Sequence, residues 1–492
     1  MPDHTYDLIV GLETHVQLST ETKLFCGCST TFGAAPNTQT CPVCIGMPGS
    51  LPVMNREALQ LALKTAIALN CEIPEFTKWD RKQYYYPDLP KGYQISQYDL
   101  PMSQKGWLEI HDPKGRFQPK KVGIIRAHLE EDAGKSLHDE AAGKADSRID
   151  LNRTGTPLLE IVSAPDIRST EETRAYLTEL KLLLTYLGVS DCNMQEGSLR
   201  VDANINLHIP TPQGKIATPI VEIKNLNSFR FIERALAYEA KRQLEVWQQT
   251  GRKLGEAGTF KQTRGWDDAQ GVTFAQREKE ESSDYRYFPD PDLCPVVTTQ
   301  AEVEQVRAGL AESPRAIRER LEKAHGITPY DSDVIAAQGR PTVDYYEAVA
   351  KAAGDGKKAA NWVTQEVLRV LNEQGWSLAQ FPLTAASLAD LVKRVIAGEI
   401  EITRAKEVFN DMVANKRSAA DSLQALGITK VDLSELEAIC KELVAANPKI
   451  VADVKGGKQQ AVGALVGQAK KRNPNANPND VRRICLELIE KM

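Results

Sequence analysis

The sequence predicts an α+β protein: an N-terminal antiparallel-sheet cradle, then an all-α helical domain, then a helical tail. Three observations predict it. Polar and apolar residues alternate with period two in several runs before about residue 295, the pattern of strands with one wet face. Beyond that point apolar residues recur at helical spacing. Proline turn punctuation, with Tyr86-Pro87 and the Pro-Asp pairs, crowds into the first part and thins out in the second. A chain of 492 residues has room for about three domains, and the boundaries expected are 1–294, 295–403 and 404–492.

Residues 7–18 alternate so that Glu13, His15 and Gln17 share one face, with Leu12, Val16 and Leu18 on the other. Residues 55–69 have the apolar spacing of a helix. Residues 122–132 return to a strand pattern, with Arg126, His128, Glu130 and Asp132 on one side. In Leu158-Leu159-Glu160-Ile161-Val162 a carboxylate interrupts an apolar run. A buried carboxylate costs several kcal/mol unless it is paired or metal-bound. Residues 169–187 read as a helix behind a Ser169 cap, with Glu171 and Glu172 matched to its dipole.

The clearest strand is 199–209. Leu199, Val201, Ala203, Ile205, Leu207 and Ile209 face a core, and Arg200, Asp202, Asn204, Asn206 and His208 face away. Residues 220–224 bring Glu222 and Lys224 together. In the helical part, Leu388, Leu391, Val392 and Val395 make one face of a helix over 384–397 behind Thr384. Val408, Phe409, Met412 and Val413 do the same over 403–414, with Thr403 as the expected cap. Gly398-Glu-Ile-Glu401 between them is the expected domain joint, and 473–480 a turn before a short last helix.

Composition narrows the class. Apolar residues are 42% and charged residues 26%, which excludes wholesale disorder. The N-terminus lacks the basic and apolar segments of a secretory leader, and no stretch approaches the ~20 apolar residues of a membrane helix. A soluble protein of the reducing cytoplasm is expected. The net charge of −5 is an average: residues 404–492 hold 15 basic and 11 acidic side chains, so the tail is +4 and the body −9. Between 449 and 483 there are 8 basic and 2 acidic residues, either a solvated helical face or a surface for phosphate backbone.

Four of the nine cysteines crowd into Cys26-Gly-Cys28 and Cys41-Pro-Val-Cys44. Two short thiolate knuckles 12 residues apart suit tetrahedral zinc, and a closed four-thiolate site is structural. Gly27 and Pro42 are expected to make the turns, and Cys71, Cys192, Cys294, Cys440 and Cys485 to be buried core thiols. His15 with the carboxylates Glu13, Glu130 and Glu160 has the character of a magnesium site completed by substrate phosphates. Gly134-Lys-Ser136 is not a P-loop, because Leu129 stands where the first glycine belongs. Neither a dinucleotide glycine fingerprint nor a Gly-x-Ser-x-Gly elbow occurs. Two dense polar stretches, 81–97 and 283–292, offer hydroxyls, amides and cations to a polyanionic or aminoacyl substrate.

Several of these segments occur together in one family. They are Gly11-Leu-Glu-Thr-His-Val-Gln17, Arg81-Lys-Gln-Tyr-Tyr-Tyr-Pro-Asp88, Lys91-Gly-Tyr-Gln-Ile-Ser-Gln97 and His128-Leu-Glu-Glu-Asp-Ala-Gly-Lys135. Asp150-Leu-Asn-Arg-Thr-Gly-Thr-Pro-Leu-Leu-Glu-Ile-Val-Ser163, Glu196-Gly-Ser-Leu-Arg-Val-Asp-Ala-Asn204, Glu222-Ile-Lys-Asn-Leu-Asn-Ser228 and Asp284-Tyr-Arg-Tyr-Phe-Pro289 complete the set. With them the chain resembles the B-subunit family of the aspartyl/glutamyl-tRNA amidotransferases, densely through about residue 295 and more loosely after it.

The resemblance implies an ATP-dependent ligase subunit that converts misacylated Glu-tRNA(Gln), Asp-tRNA(Asn) or both to the amide-bearing tRNA. ATP and magnesium phosphorylate the side-chain carboxylate in a kinase-like site, and ammonia then displaces phosphate. It implies two partners, an amidase (A) subunit that releases ammonia from glutamine and a small C subunit. By the same resemblance Glu13, His15, Glu130 and Glu160 hold magnesium, and Lys82 and Lys91 line the ammonia route. A buried lysine there relays protons if its pKa is lowered. Lys135, Arg153, Arg200 and Arg286 are implied as ATP phosphate contacts, while Asp202, Asn204 and Lys224 shape the cradle. Cys26, Cys28, Cys41 and Cys44 match the family's zinc knuckle, and the tail, with Lys455, Lys458, Lys470, Lys471 and Arg472, matches its tRNA-elbow module. The residues by themselves also fit a non-catalytic tRNA-binding scaffold whose chemistry resides in its partners.

Overall fold

The computed structural model of the protein describes residues 6–138, 147–278, 285–428 and 433–491; Ser283 and Asp284 lie outside them. The chain divides into two compact units, Met1–Pro314 and Arg315–Met492. In the first, the strands in chain order are β1 (Asp7–Gln17), β2 (Phe76–Thr77), β3 (Asp80–Gln83), β4 (Tyr93–Ser96), β5 (Ser103–Ile110), β6 (Lys120–Glu131), β7 (Lys135–His138) and β8 (Ser147–Asp150). They continue as β9 (Pro157–Ser163), β10 (Leu199–Thr211), β11 (Gly214–Ala217), β12 (Val221–Lys224), β13 (Gln262–Asp267), β14 (Val272–Glu278), β15 (Phe288–Pro289) and β16 (Val296–Val297).

The main sheet has the order β14-β13-β12-β10-β1-β9-β6-β5, with β11 added to β10. Its pairs are antiparallel except β12–β13, which run parallel. The exception has a simple cause: a long helix carries the chain from the end of β12 back to the end of the sheet where β12 began, and such a crossover returns a strand parallel. Register then sets what meets what. His15 lies opposite Arg200 on β10 and Glu160 on β9, and Glu160 lies opposite His128 on β6. One step along, Glu13 lies between Asp202 and Val162, and Val162 lies opposite Arg126. Directly opposed residues share a face, so these two rows project from the same side.

A register shift between Ile124 and Arg126 keeps both faces correct. Val122 and Ile124 are buried in the core before it, Ala127 and Leu129 after it, and Ile125 is left exposed. Strict alternation would have put Ile124 beside Arg126 on the polar side; the inserted residue re-phases the strand and turns Arg126, His128 and Glu130 to the polar face.

Three helices cover the opposite face: α1 (Arg56–Ala68), α2 (Thr170–Tyr186) and α3 (Phe229–Thr250). The side chains of Asn55, Ser169 and Ser228 accept from first-turn N–H groups and cap them. Helix α3 packs on β10 and β14, α2 on β5, and α1 on β6. Leu61 and Leu63 of α1, Leu180 and Leu184 of α2, and Leu236 of α3 join Leu12, Val16, Val201 and Ile205 in one core. Each such side chain contributes about 1.5–3 kcal/mol by burial. Cys294 departs from the buried-thiol expectation: it is exposed, on the Pro-rich turn between β15 and β16.

The second unit is helical. Thr384 caps Ala385–Ile396 as expected, but the next helix, Ile402–Asn415, begins earlier than its pattern suggested. Its cap is Glu401, whose carboxylate accepts from Thr403 N and Arg404 N, so Thr403 lies inside the first turn. A carboxylate at that position also matches the helix dipole. The tail helices Leu433–Ala446, Pro448–Lys455, Val462–Arg472 and Pro478–Glu490 close a core of their own around Leu436, Leu443, Leu465 and Ile484.

Candidate active site

The polar face of the main sheet forms one wall of a cavity of about 1010 Å³. The β15-β3-β4 sheet and its tyrosines form another wall, through Lys82, Gln94, Ser96, Tyr84, Tyr98, Tyr285 and Tyr287. Glu13, His15, Lys82, Arg126, His128, Glu130, Glu160, Arg200, Asp202, Glu222 and Lys224 all line it.

The acidic ligands fall into two groups. His15, Glu130 and Glu160 offer donor atoms within 4.8 Å of one another, as do Glu13, Asp202 and Glu222. His15 Nε2 lies 3.8 Å from both Glu130 Oε1 and Glu160 Oε2. His128 Nε2 lies 3.3 Å from Glu160 Oε2 and 3.7 Å from Glu130 Oε2. Glu13 accepts from Asn204 Nδ2 at 2.8 Å and so stands in the second group, apart from the other three carried over by resemblance. Oxygen-rich donor sets with one imidazole suit a hard divalent cation.

Burial opposes charge on His128, Glu130 and Glu160, and their neighbours overrule it. Burial alone would depress His128, yet Glu160 and Glu130 hold it up at about 9. Glu160 and Glu130 are in turn held below the ordinary carboxylate range, against burial, by His128 above all. Burial would lower the pKa of Lys82, but Glu130, Tyr287 and Glu160 hold it above the ordinary lysine range, so Lys82 does not have the lowered pKa that a relay requires. Its ammonium lies 5.1 Å from the ring centre of Tyr285 and 5.7 Å from that of Tyr84. Burial pushes Tyr287 up to about 12.

A second cavity of about 1010 Å³ opens beside the first and shares Arg200, Asp202 and Lys224 with it. Lys135 and Arg153 line this one alone. Arg200 pairs with Asp132, and Arg153 donates to Ala133 O and Gly134 O at 2.8 and 2.6 Å. Gly134 is needed for packing: a Cβ there would meet Asp88 O and Thr154 Oγ1 at 2.9 Å. Lys224 binds Asp202 at 2.6 Å and Glu222 at 3.0 Å. Lys91 and Arg286 line neither cavity. Lys91 is buried in an ion pair with Glu131, and Arg286 is exposed, with its carbonyl accepting from Gln83 at 3.1 Å.

The alternation in the sequence puts His128 and Arg126 on this face without assigning them a role, and it does not group Glu222 with Glu13. The alternation signal names a face; it does not say which strands become neighbours.

The four cysteines also converge to within 4.8 Å of one another. Cys44 is drawn down to about 4, chiefly by hydrogen bonding from Cys26, while Cys28 is pushed up to about 11, chiefly by burial. Cys41 N donates to Cys44 Sγ at 3.2 Å, and the buried Lys23 ammonium lies 3.6 Å from it. Thiolate donors with N–H support fit a structural metal. Gly27 has neither a left-handed φ nor a neighbour within 4 Å of a would-be Cβ, so the turn does not require glycine there; Gly46 (φ +73) and Gly49 (φ +84) take the left-handed positions of this segment.

In the tail, Lys455, Lys458, Lys471 and Arg472 are exposed and Lys470 is half-buried. Arg472 is paired with Glu442 at 2.6 Å and Lys458 with Asp453 at 3.3 Å. Among the described residues no helix is long and apolar enough to cross a membrane.

Comparison with known proteins agrees with this geometry. A family model described as the GatB/GatE catalytic domain matches residues 8–304, and one described as a GatB domain matches residues 344–489. The chain is 59% identical over 484 residues to the B subunit of the aspartyl/glutamyl-tRNA(Asn/Gln) amidotransferase of Rhodopirellula baltica, covering 98% of this chain and 97% of that one. The protein of the same name from Carboxydothermus hydrogenoformans is 46% identical over 490 residues, 99% of each chain. That of Trichormus variabilis is 46% identical over 496 residues, 99% of this chain and 97% of its own. With its catalytic-domain match spanning both cavities and near-complete coverage of these relatives, the chain belongs to the family of aspartyl/glutamyl-tRNA(Asn/Gln) amidotransferase B subunits.

Proposed function

We propose that this chain is the cytoplasmic ATP-dependent ligase subunit that activates and amidates Glu-tRNA(Gln), Asp-tRNA(Asn) or both, in company with an amidase (A) subunit and a small C subunit. The reading is carried by one observation, the two acidic groups that stand side by side on one sheet face in a single cation-lined cavity. A carboxylate is a poor acyl donor, and transfer of the terminal phosphate of ATP to it creates a good leaving group. Ammonia then attacks the acyl carbon and phosphate departs. His15, Glu130 and Glu160, and Glu13, Asp202 and Glu222, would hold magnesium, which would supply charge neutralisation for phosphoryl transfer.

The chain's own side chains do the rest. Arg200 and Lys224, shared by both cavities, bind phosphate, with Lys135 and Arg153 extending that surface. Asn204 orients the Glu13 carboxylate. Lys82 holds positive charge beside Glu130 and Glu160. The Cys26, Cys28, Cys41 and Cys44 group holds structural zinc. Within the expected division, residues 1–294 carry the reaction, 295–403 connect, and 404–492 contact tRNA through Lys455, Lys458, Lys470, Lys471 and Arg472.

The test is phosphoryl transfer in isolation. The assembled complex, given Glu-tRNA(Gln) and γ-labelled ATP without glutamine or ammonia, is expected to yield labelled acyl phosphate. A complex that binds the tRNA tightly yet forms none would be a scaffold, and the reading would fall.

A further inference from the structure

Five cations line the first cavity: Lys82, Arg126, Arg200, Lys224 and Lys261. Three are neutralised. Arg200 is held by Asp132, Lys224 by Asp202 and Glu222, and Lys261 by Glu222 at 3.6 Å. Lys82 is boxed by tyrosine rings in the field of Glu130 and Glu160. Arg126 differs from all of them. It has no ion pair or side-chain hydrogen bond among the described residues, and its Nε is buried without a partner. A buried donor left unsatisfied is costly, and in a cavity it marks a place where a ligand completes the set.

Three further observations say what that ligand is. Arg126 sits opposite Val162, which sits opposite Glu13; the row therefore runs from an acidic group, over a small neutral residue, to a guanidinium. Val162 lines the cavity and leaves a gap one strand wide between opposite charges. The β6 bulge, with Ile125 put out to solvent, is what turns Arg126 to this face.

We propose that Arg126 is a substrate-contacting residue that grips an oxyanion lying over Val162, on the side away from the Glu13, Asp202 and Glu222 group. The planar guanidinium fork matches a carboxylate or a phosphoryl group through paired N–H donors. The oxyanion is either the terminal phosphate of ATP or the side-chain carboxylate of the aminoacyl group. This rests on the function proposed above.

The experiment uses the assembled amidotransferase carrying Arg126→Ala and Arg126→Lys. Loss of a charge-assisted contact is expected to raise one KM by about tenfold to a hundredfold, with the melting temperature unchanged. A rise confined to ATP assigns the grip to phosphate; a rise confined to aminoacyl-tRNA assigns it to the carboxylate. Added guanidinium ion is expected to restore part of the lost rate to Arg126→Ala and none to the wild type. If Arg126→Ala does not fold, Arg126→Gln, which keeps the stem and a donor, is taken through the same measurements. Unchanged KM values in a folded variant overturn the proposal, as does a fall in kcat alone that guanidinium does not rescue. A wild-type complex that forms no acyl phosphate would instead sink the proposed function, so the two failures read differently.

Discussion

Arg200 grips Asp132 with both guanidinium nitrogens, at 3.0 and 2.9 Å, although β1 and β9 lie between their strands. Gln17 Nε2 donates to the same carboxylate at 2.7 Å, and Arg153 approaches it at 3.6 Å. Burial would raise the pKa of Asp132, and Arg200 and Arg153 reverse that and hold it below the usual range. The pair stands where the two cavities share a wall.

Asp132→Ala is therefore expected to leave two guanidinium groups without their counter-ion. Breaking a buried pair costs about 3–5 kcal/mol, and the partial exposure of both arginines trims this to about 2–3 kcal/mol. Urea denaturation of the assembled complex measures it. A loss below about 0.5 kcal/mol would mean that water replaces the carboxylate and the wall does not depend on it.

The two acidic groups make a counting experiment possible. Manganese titration followed by electron paramagnetic resonance is expected to find two sites in the wild type. Glu222→Gln or Asp202→Asn should remove one and Glu160→Gln the other, because the donor sets do not overlap. One site in the wild type, or loss of both from Glu222→Gln, would contradict a two-ion arrangement.

How far the sequence revealed this site depends on which link carried each residue. Glu160 was legible because an apolar run makes a lone carboxylate conspicuous. Glu13 and His15 were legible as a face, because a strand's period of two is local. The grouping of Glu13 with Asp202 and Glu222 was not, since it requires β10 and β12 to lie beside β1, and strand order is a property of the folded chain. The Thr403 cap failed for a local reason: a glutamate two positions earlier competes for the same N–H groups. The charge of Lys82 is not legible locally, since burial pushes its pKa one way and Glu130, Tyr287 and Glu160 push it the other.

The cysteine group reaches the second cavity through the loop between its two knuckles. Asn37 Nδ2 donates to Ile149 O at 2.9 Å, Leu151 N to Asn37 Oδ1 at 2.8 Å, and Gln39 N to Asn152 Oδ1 at 2.8 Å. Lys23, fully buried, donates to Gln39 O at 2.7 Å. Removing the metal with a chelator, or substituting Cys44→Ser, is expected to speed amide exchange in 30–40 and 147–154 together. Exchange in β10 should not change. Elemental analysis checks for zinc loss in parallel. Faster exchange in the loop with 147–154 still protected would show the knuckle to be independent of the cavity.

Glu239 tests the sheet from its other face. It lies on α3, is fully buried, and no apolar periodicity marks it. Arg242 donates to it at 2.6 Å, Thr273 Oγ1 at 2.8 Å and Gln243 Nε2 at 3.3 Å, while Arg264 Nε stands 3.7 Å away. These contacts tie α3 to β13 and β14, the strands reached by the parallel crossover. Arg264 is already held below its usual range by burial and by the neighbouring Arg242, so loss of the carboxylate leaves it a second stranded cation beside Arg242. Glu239→Ala is expected to cost about 3–5 kcal/mol. Arg264→Met added to that variant should restore part of the loss, because it removes the stranded cation. KM values for ATP and aminoacyl-tRNA should stay at wild-type levels throughout, since Glu239 lines neither cavity. Equal losses in the single and double variants would show that the penalty comes from the missing hydrogen bonds of Thr273 and Gln243 and not from charge.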